Sequence, residues 1–176
     1  MTLLKKKKSK GFTLVEILLV VGFIALAGIG IYTIYSKVQI SNQSNQESRN
    51  LDTLRAGVKS LYASRPNFTG VSNTVANQAR VTPDNMRTDA VADIINSFGG
   101  AVTVAPIGLG GGANNGFVIT YEDVPGAVCT KLATSAGVQF NSVSIGAAVP
   151  DGTVKKFASN EPIDVALATS ECNVDT

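Results

Sequence analysis

The groups in this chain best placed to do chemistry are few: the thiols of Cys129 and Cys172, the carboxylate of Glu16, and the lysines at positions 5, 6, 7, 8 and 10. Histidine is absent, which rules out a Ser-His-Asp arrangement and leaves a Cys129 nucleophile without an imidazole base. A structural zinc site takes about four Cys or His ligands, more than two cysteines can supply. Asp84, Asp89 and Asp93 lie close in sequence, but their spacing fits no calcium loop and reads as a solvated helix face. Gly108-Leu109-Gly110 through Ala113 loosely fits a dinucleotide-binding glycine pattern. That pattern needs a helix opened by the glycines, and here Asn114-Asn115-Gly116 and a strand follow; no Gly-Lys-Ser/Thr stands for a P-loop. The sequence therefore points to no catalytic residue, no metal site and no cofactor. Its reactive groups read as parts of a structure: one carboxylate in need of a partner, and one pair of thiols.

Placement of the charge narrows the class further. Of the 15 basic residues, five precede residue 11; the ten that remain face 13 acidic ones, a net −3. A phosphate-binding surface should stay basic across the folded part, so no nucleic-acid partner is inferred. From Ile17 to Tyr35 no residue is charged, and as a helix this segment spans about 28 Å, close to the hydrocarbon thickness of a bilayer. Lysines before it and only Lys37 directly after it place the N-terminus in the cytoplasm and export the remainder. No small-residue cleavage site follows the apolar run, so that run is expected to be retained. In an exported chain an even pair of cysteines reads as one disulfide, the alternative being two unpaired buried thiols.

The elements that must position these groups follow from periodicity. Leu51, Leu54, Val58, Leu61 and Tyr62 recur at three- and four-residue spacing, so the helix is expected to continue as an amphipathic second half and to end at Arg65-Pro66. Between the halves, residues 41–50 contain no apolar side chain and suggest a bend or a solvated helix. Residues 67–95 read as a loop with one or two short helices, one starting at Pro83-Asp84. Strands are expected at 101–105 and 116–121, a short helix carrying Cys129 at 125–134, and a further strand at 138–145. Near the C-terminus a strand is expected at 155–158 and a helix at 163–172. The fold class is α+β. A long N-terminal helix packs its amphipathic half on an antiparallel sheet, and a disulfide closes the C-terminal region.

The start of the apolar run carries the most specific signal. Lys10-Gly11-Phe12-Thr13-Leu14-Val15-Glu16, followed by unbroken hydrophobicity, resembles the start of type IV pilins. The resemblance implies a leader, residues 1–11, removed by a prepilin peptidase that cuts between Gly11 and Phe12 and methylates the new amine of Phe12. It implies that Glu16 pairs with that amine on a neighbouring subunit during assembly. Residues 12–64 would then form the helix, with 17–35 as the membrane and assembly segment, and 65–176 the head. In the head, Ile95-Asn96-Ser97-Phe98-Gly99-Gly100 followed by a strand, with a cysteine pair near the C-terminus, is similar to type IVb pilins, including bundle-forming ones. The short leader and Phe12 are closer to the type IVa pattern, and Thr33 and Thr53 stand where many type IVa pilins carry kinking prolines.

The expected function is a non-enzymatic subunit of a type IV pilus. It would be held in the inner membrane first, and then polymerised by the inner-membrane assembly machinery into a helical homo-oligomeric filament on the cell surface. Adhesion, aggregation, motility and DNA transfer are compatible roles. The alternative is a pseudopilin of a type II secretion system, which uses the same helix and cleavage but generally lacks the C-terminal disulfide loop. A membrane-anchored enzyme or binding protein is a third reading, and it predicts an uncut N-terminus.

Overall fold

A 48-residue helix, α1 (Leu14–Leu61), is built from two stretches of different chemistry. A computed structural model describes residues 12–146, 152–157 and 161–173. The chain divides into two compact units, the first ending at Gln39 and the second beginning at Ile40. In the first, the apolar residues of α1 keep their side chains exposed, from Leu14 at 76% to Val38 at 50%. In the second, α1 buries Leu51, Leu54 and Val58 at the expected helical spacing, and the core grows from that stripe.

After α1 come α2 (Asn73–Gln78), a 3₁₀ turn (Asp84–Met86), strands β1 (Val102–Ile107) and β2 (Gly116–Tyr121), α3 (Gly126–Gln139) and α4 (Val165–Cys172). The two strands form an antiparallel hairpin, with Val102 opposite Tyr121 and Ile107 opposite Gly116. Asn73 extends this sheet with a side chain: its amide donates to the Val102 carbonyl (2.8 Å) and accepts from Val104 N–H (2.7 Å). One core cluster gathers Leu54, Val58, Tyr62, Met86, Ile94, Val102 and Val104 between α1 and β1. A second gathers Leu51, Leu132, Ala133, Ala136, Val143, Val154 and Ala168 around α3 and α4. Both draw on α1, so the sheet and the helical pair share one foundation.

Three local expectations need correction. Residues 138–145 are not a strand: α3 continues through Gln139, because Leu132, Ala133 and Ala136 make a buried helical stripe and Gly137 lets Ile163 pack close against the helix. Beyond Phe140 only Val143 pairs, in an isolated bridge to Lys155. The strand expected at 155–158 reduces to that same bridge, with Ala158 outside the described residues. Residues 41–50 show neither a bend nor a fully solvated face. The helix runs through them, and Ser44, Glu47 and Asn50 are buried.

Candidate assembly site

In the N-terminal unit, α1 is opened by a side chain. Thr13 Oγ1 accepts a hydrogen bond from Glu16 N–H (3.3 Å), and the Thr13 carbonyl accepts from Ile17 N–H (3.2 Å). Thr13-Leu14-Val15-Glu16 thus has the Ser/Thr-x-x-Glu spacing of a helix start, a signal the apolar run masks in the sequence. The helix therefore begins two residues after Phe12 and carries Glu16 in its first turn, where an acidic group also suits the helix dipole. Glu16 is exposed, and among the described residues its carboxylate makes no ion pair. Phe12 stands at the start of the described chain, and Gly11 and the ten residues before it lie outside it.

The surface around Glu16 is almost entirely hydrocarbon. Its best window reaches a mean hydropathy of 2.6, and none of it is buried within the chain. Each Leu, Ile, Val or Phe left in water forgoes about 1.5–3 kcal/mol of burial. Such a helix requires cover, from lipid or from other copies of itself. A carboxylate in that cover is strongly disfavoured unless it is paired or takes up a proton.

In the second unit, the buried polar face of α1 has its own centre at Glu47, which is 0% exposed. Glu47 Oε1 accepts hydrogen bonds from Ser97 N–H (2.8 Å), from the Ser97 hydroxyl, and from Asn50 Nδ2 (3.3 Å). Ser97 belongs to the Ile95–Gly100 loop, whose shape is fixed by Asn96. The Asn96 Oδ1 accepts from Phe98 and Gly100 N–H, and its Nδ2 donates to the Glu122 carbonyl (2.7 Å). Gly100 is required here, since a Cβ would collide with that same carbonyl at the end of β2. The loop that resembles type IVb pilins is therefore a clasp between α1 and the sheet.

The clasp has a specific energetic signature. Glu47→Ala would leave the Ser97 donors unsatisfied in the interior and is expected to cost about 3 kcal/mol. Glu47→Gln keeps an acceptor at Oε1 and should cost about half as much or less. Denaturant unfolding of the full chain in detergent compares the two; equal losses would show that the acceptor is not what matters.

Tyr121, the last residue of β2, lies near this carboxylate. Its hydroxyl is buried and has no hydrogen-bond partner among the described residues, and burial, with a smaller contribution from the Glu47 charge, pushes the phenol well above its ordinary range. The neutral phenol is thus favoured by the folded state. Its contribution is complete below the unfolded pKa of about 10 and is lost as pH rises above it, because the unfolded chain ionises first. Tyr121→Phe is expected to be neutral or slightly stabilising at pH 7 and to flatten the fall in thermal midpoint above about pH 10. Parallel alkaline melts of the two proteins measure the difference.

In the second unit, the sulfurs of Cys129 on α3 and Cys172 at the close of α4 are bonded, with Cα atoms 5.7 Å apart and the two residues 43 positions apart in sequence. Asp164 caps α4 by accepting from Leu167 N–H (3.0 Å), and Ala168 packs fully buried beneath it. The bridge locks α4 onto α3. Phe12, Glu16 and the cysteine pair thus occupy opposite functional ends of the sequence, in separate units. Glu47 and Ser97 are the residues that sequence reasoning missed. The signal was an isolated carboxylate in register with Leu51 and Leu54, one helical turn upstream.

Residues 41–176 match the family described as PilS N terminal. The chain is 27% identical, over 136 residues, to the major structural subunit of bundle-forming pilus from Escherichia coli O127:H6; the match covers 75% of this chain and 67% of that protein. It is 24% identical, over 151 residues, to the toxin coregulated pilin of Vibrio cholerae serotype O1, covering 80% of this chain and 64% of that one. The chain thus spans about two thirds of the length of these curated relatives. No solved structure matches it.

Proposed function

This chain belongs to the PilS N-terminal family, and from that premise we propose that it is the structural, non-enzymatic subunit of a type IV pilus of the type IVb kind. The observation that carries the reading is the exposed apolar half of α1 joined in one chain to a disulfide-closed head of this family. Before assembly the apolar segment sits in the inner membrane with the lysines in the cytoplasm, where lipid covers it. A prepilin peptidase cuts between Gly11 and Phe12 and methylates the Phe12 amine. The helix then leaves lipid for the filament core, which is possible because its backbone hydrogen bonds are satisfied internally.

Glu16 gives that transfer its register. Cleavage creates an α-amine beside the first turn of α1, and in a core of packed apolar helices an unpaired carboxylate is strongly disfavoured. Pairing Glu16 of one subunit with the Phe12 amine of another satisfies both charges at a single axial offset. The assembly machinery of the inner membrane supplies subunits to this geometry, and the heads form the outer surface. Immunogold labelling of cells at native expression tests the reading: labelled filaments outside the cell are expected, while label confined to the periplasm would support a type II secretion pseudopilin instead.

A further inference from the structure

Between α2 and the segment after the 3₁₀ turn the head has a shallow depression of about 290 Å³, wide open to solvent, lined by Asn77, Gln78, Arg80, Arg87, Thr88 and Val91. Arg80 is unusual in its backbone. It follows the C-cap Ala79 of α2 with φ +55°, while Val81 N–H donates to the Ala76 carbonyl (3.0 Å) and Arg80 N–H to the Asn77 carbonyl (3.1 Å). This is a Schellman ending, and glycine is the residue that adopts its left-handed position without strain. The fold alone would favour glycine at position 80, yet a guanidinium stands there, at the depression.

The second guanidinium, on Arg87, is paired with Asp84, whereas among the described residues Arg80 makes no ion pair. The walls are set in advance: Asn77 Nδ2 donates to the carbonyls of Val91 (2.8 Å) and Asp93 (3.1 Å), and Ile95 N–H donates to the Met86 carbonyl (2.9 Å). A planar fork of N–H donors matches a carboxylate. The exposed Gln78 amide can serve hydroxyl groups as donor and acceptor, and Val91, 51% exposed, offers an apolar face to the C–H side of a ring. The volume falls just below the range of enclosed ligand pockets, and the wide mouth leaves one face of a single bound ring in solvent.

We propose that this depression binds a carboxylate-bearing sugar residue, with Arg80 as its principal contact and Arg87 as the second. Sodium glucuronate titrated into the full chain in nonionic detergent, followed by calorimetry or ligand-observed NMR, tests the site without requiring filaments. Its outcome is therefore separable from that of the pilus reading. Saturable binding is expected, at least about tenfold tighter than that of glucose or of acetate. Arg80→Gly should weaken it by at least about tenfold while the thermal midpoint holds or rises, since glycine relieves the left-handed backbone. Arg80→Lys should fall between the two. Absence of saturable binding, equal binding of acetate, or full binding by the glycine variant would each overturn the proposal.

Discussion

Replacing Glu16 with alanine is expected to reduce sheared filament to less than about a tenth of the wild-type yield while the chain still accumulates in the membrane. The two outcomes separate because the membrane and the filament ask different things of the residue. Eleven Leu, Ile, Val and Phe side chains between Ile17 and Ile34 favour insertion by roughly 0.3–0.6 kcal/mol each at the bilayer centre, so losing a carboxylate at one edge makes insertion easier. In a filament core the same loss would, on the proposed pairing, strand the Phe12 amine of a neighbour. Breaking a buried pair from one side costs about 3–5 kcal/mol, which is a hundredfold or more in the equilibrium for adding each subunit. Glu16→Gln should fail in the same way, since it keeps the shape and removes the charge. Electron microscopy of sheared fractions beside immunoblots of membranes measures both; normal filaments from either variant would remove Glu16 from the assembly mechanism.

Breaking the Cys129–Cys172 bond should produce the second large effect, this time in the head. The bond closes a loop of 43 residues, and chain entropy sets its stabilisation at about 4 kcal/mol, an upper figure. That matters here because α4 has only eight residues and rests on α3 chiefly through Ala168 and Cys172. A helix of that length has little stability of its own. Cys129→Ser with Cys172→Ser, or reduction of the wild-type chain, should lower stability by about 2–4 kcal/mol and expose the C-terminal region to protease. The measurement is denaturant unfolding of the full chain with and without reductant. An unchanged midpoint would mean that packing alone holds α4.

The apolar half of α1 was legible because it rests on local rules. A charge-free run reads as a helix of bilayer length, and Lys-Gly-Phe-Thr-Leu-Val-Glu has an order that few other sequences share. Leu51, Leu54 and Val58 disclosed the buried face of α1 by spacing alone, and the structure buries all three. The hairpin was readable for a similar reason: Val102–Ile107 and Gly116–Tyr121 are short β-rich runs separated by glycines and Asn114-Asn115.

What sequence could not show depends on distant partners. Glu47 sits in a stretch with no apolar residue, and two of the three donors to its buried Oε1 come from Ser97, in a loop 50 positions later. Val138 looks like the first residue of a strand because it is apolar and near Val143, yet it is 87% exposed on the last turn of α3. The helix is extended past it by contacts that its neighbours make with α4 and Ile163. The family resemblance drew on the Ile95–Gly100 segment without revealing its task. In the structure that segment joins α1 to the end of β2 through Glu47, Asn96 and Glu122. Similarity to bundle-forming and toxin coregulated pilins agrees with the Ile95–Gly100 segment and the C-terminal cysteine pair as the guide to subclass.

The most direct measurement is the intact mass and N-terminal sequence of the protein purified from its host membranes or from sheared surface material. A chain that begins at Phe12 and is heavier by one methyl group is the expected result. A chain that retains Met1 and its lysines, in cells whose prepilin peptidase is active, would contradict it and return α1 to the status of a simple membrane anchor.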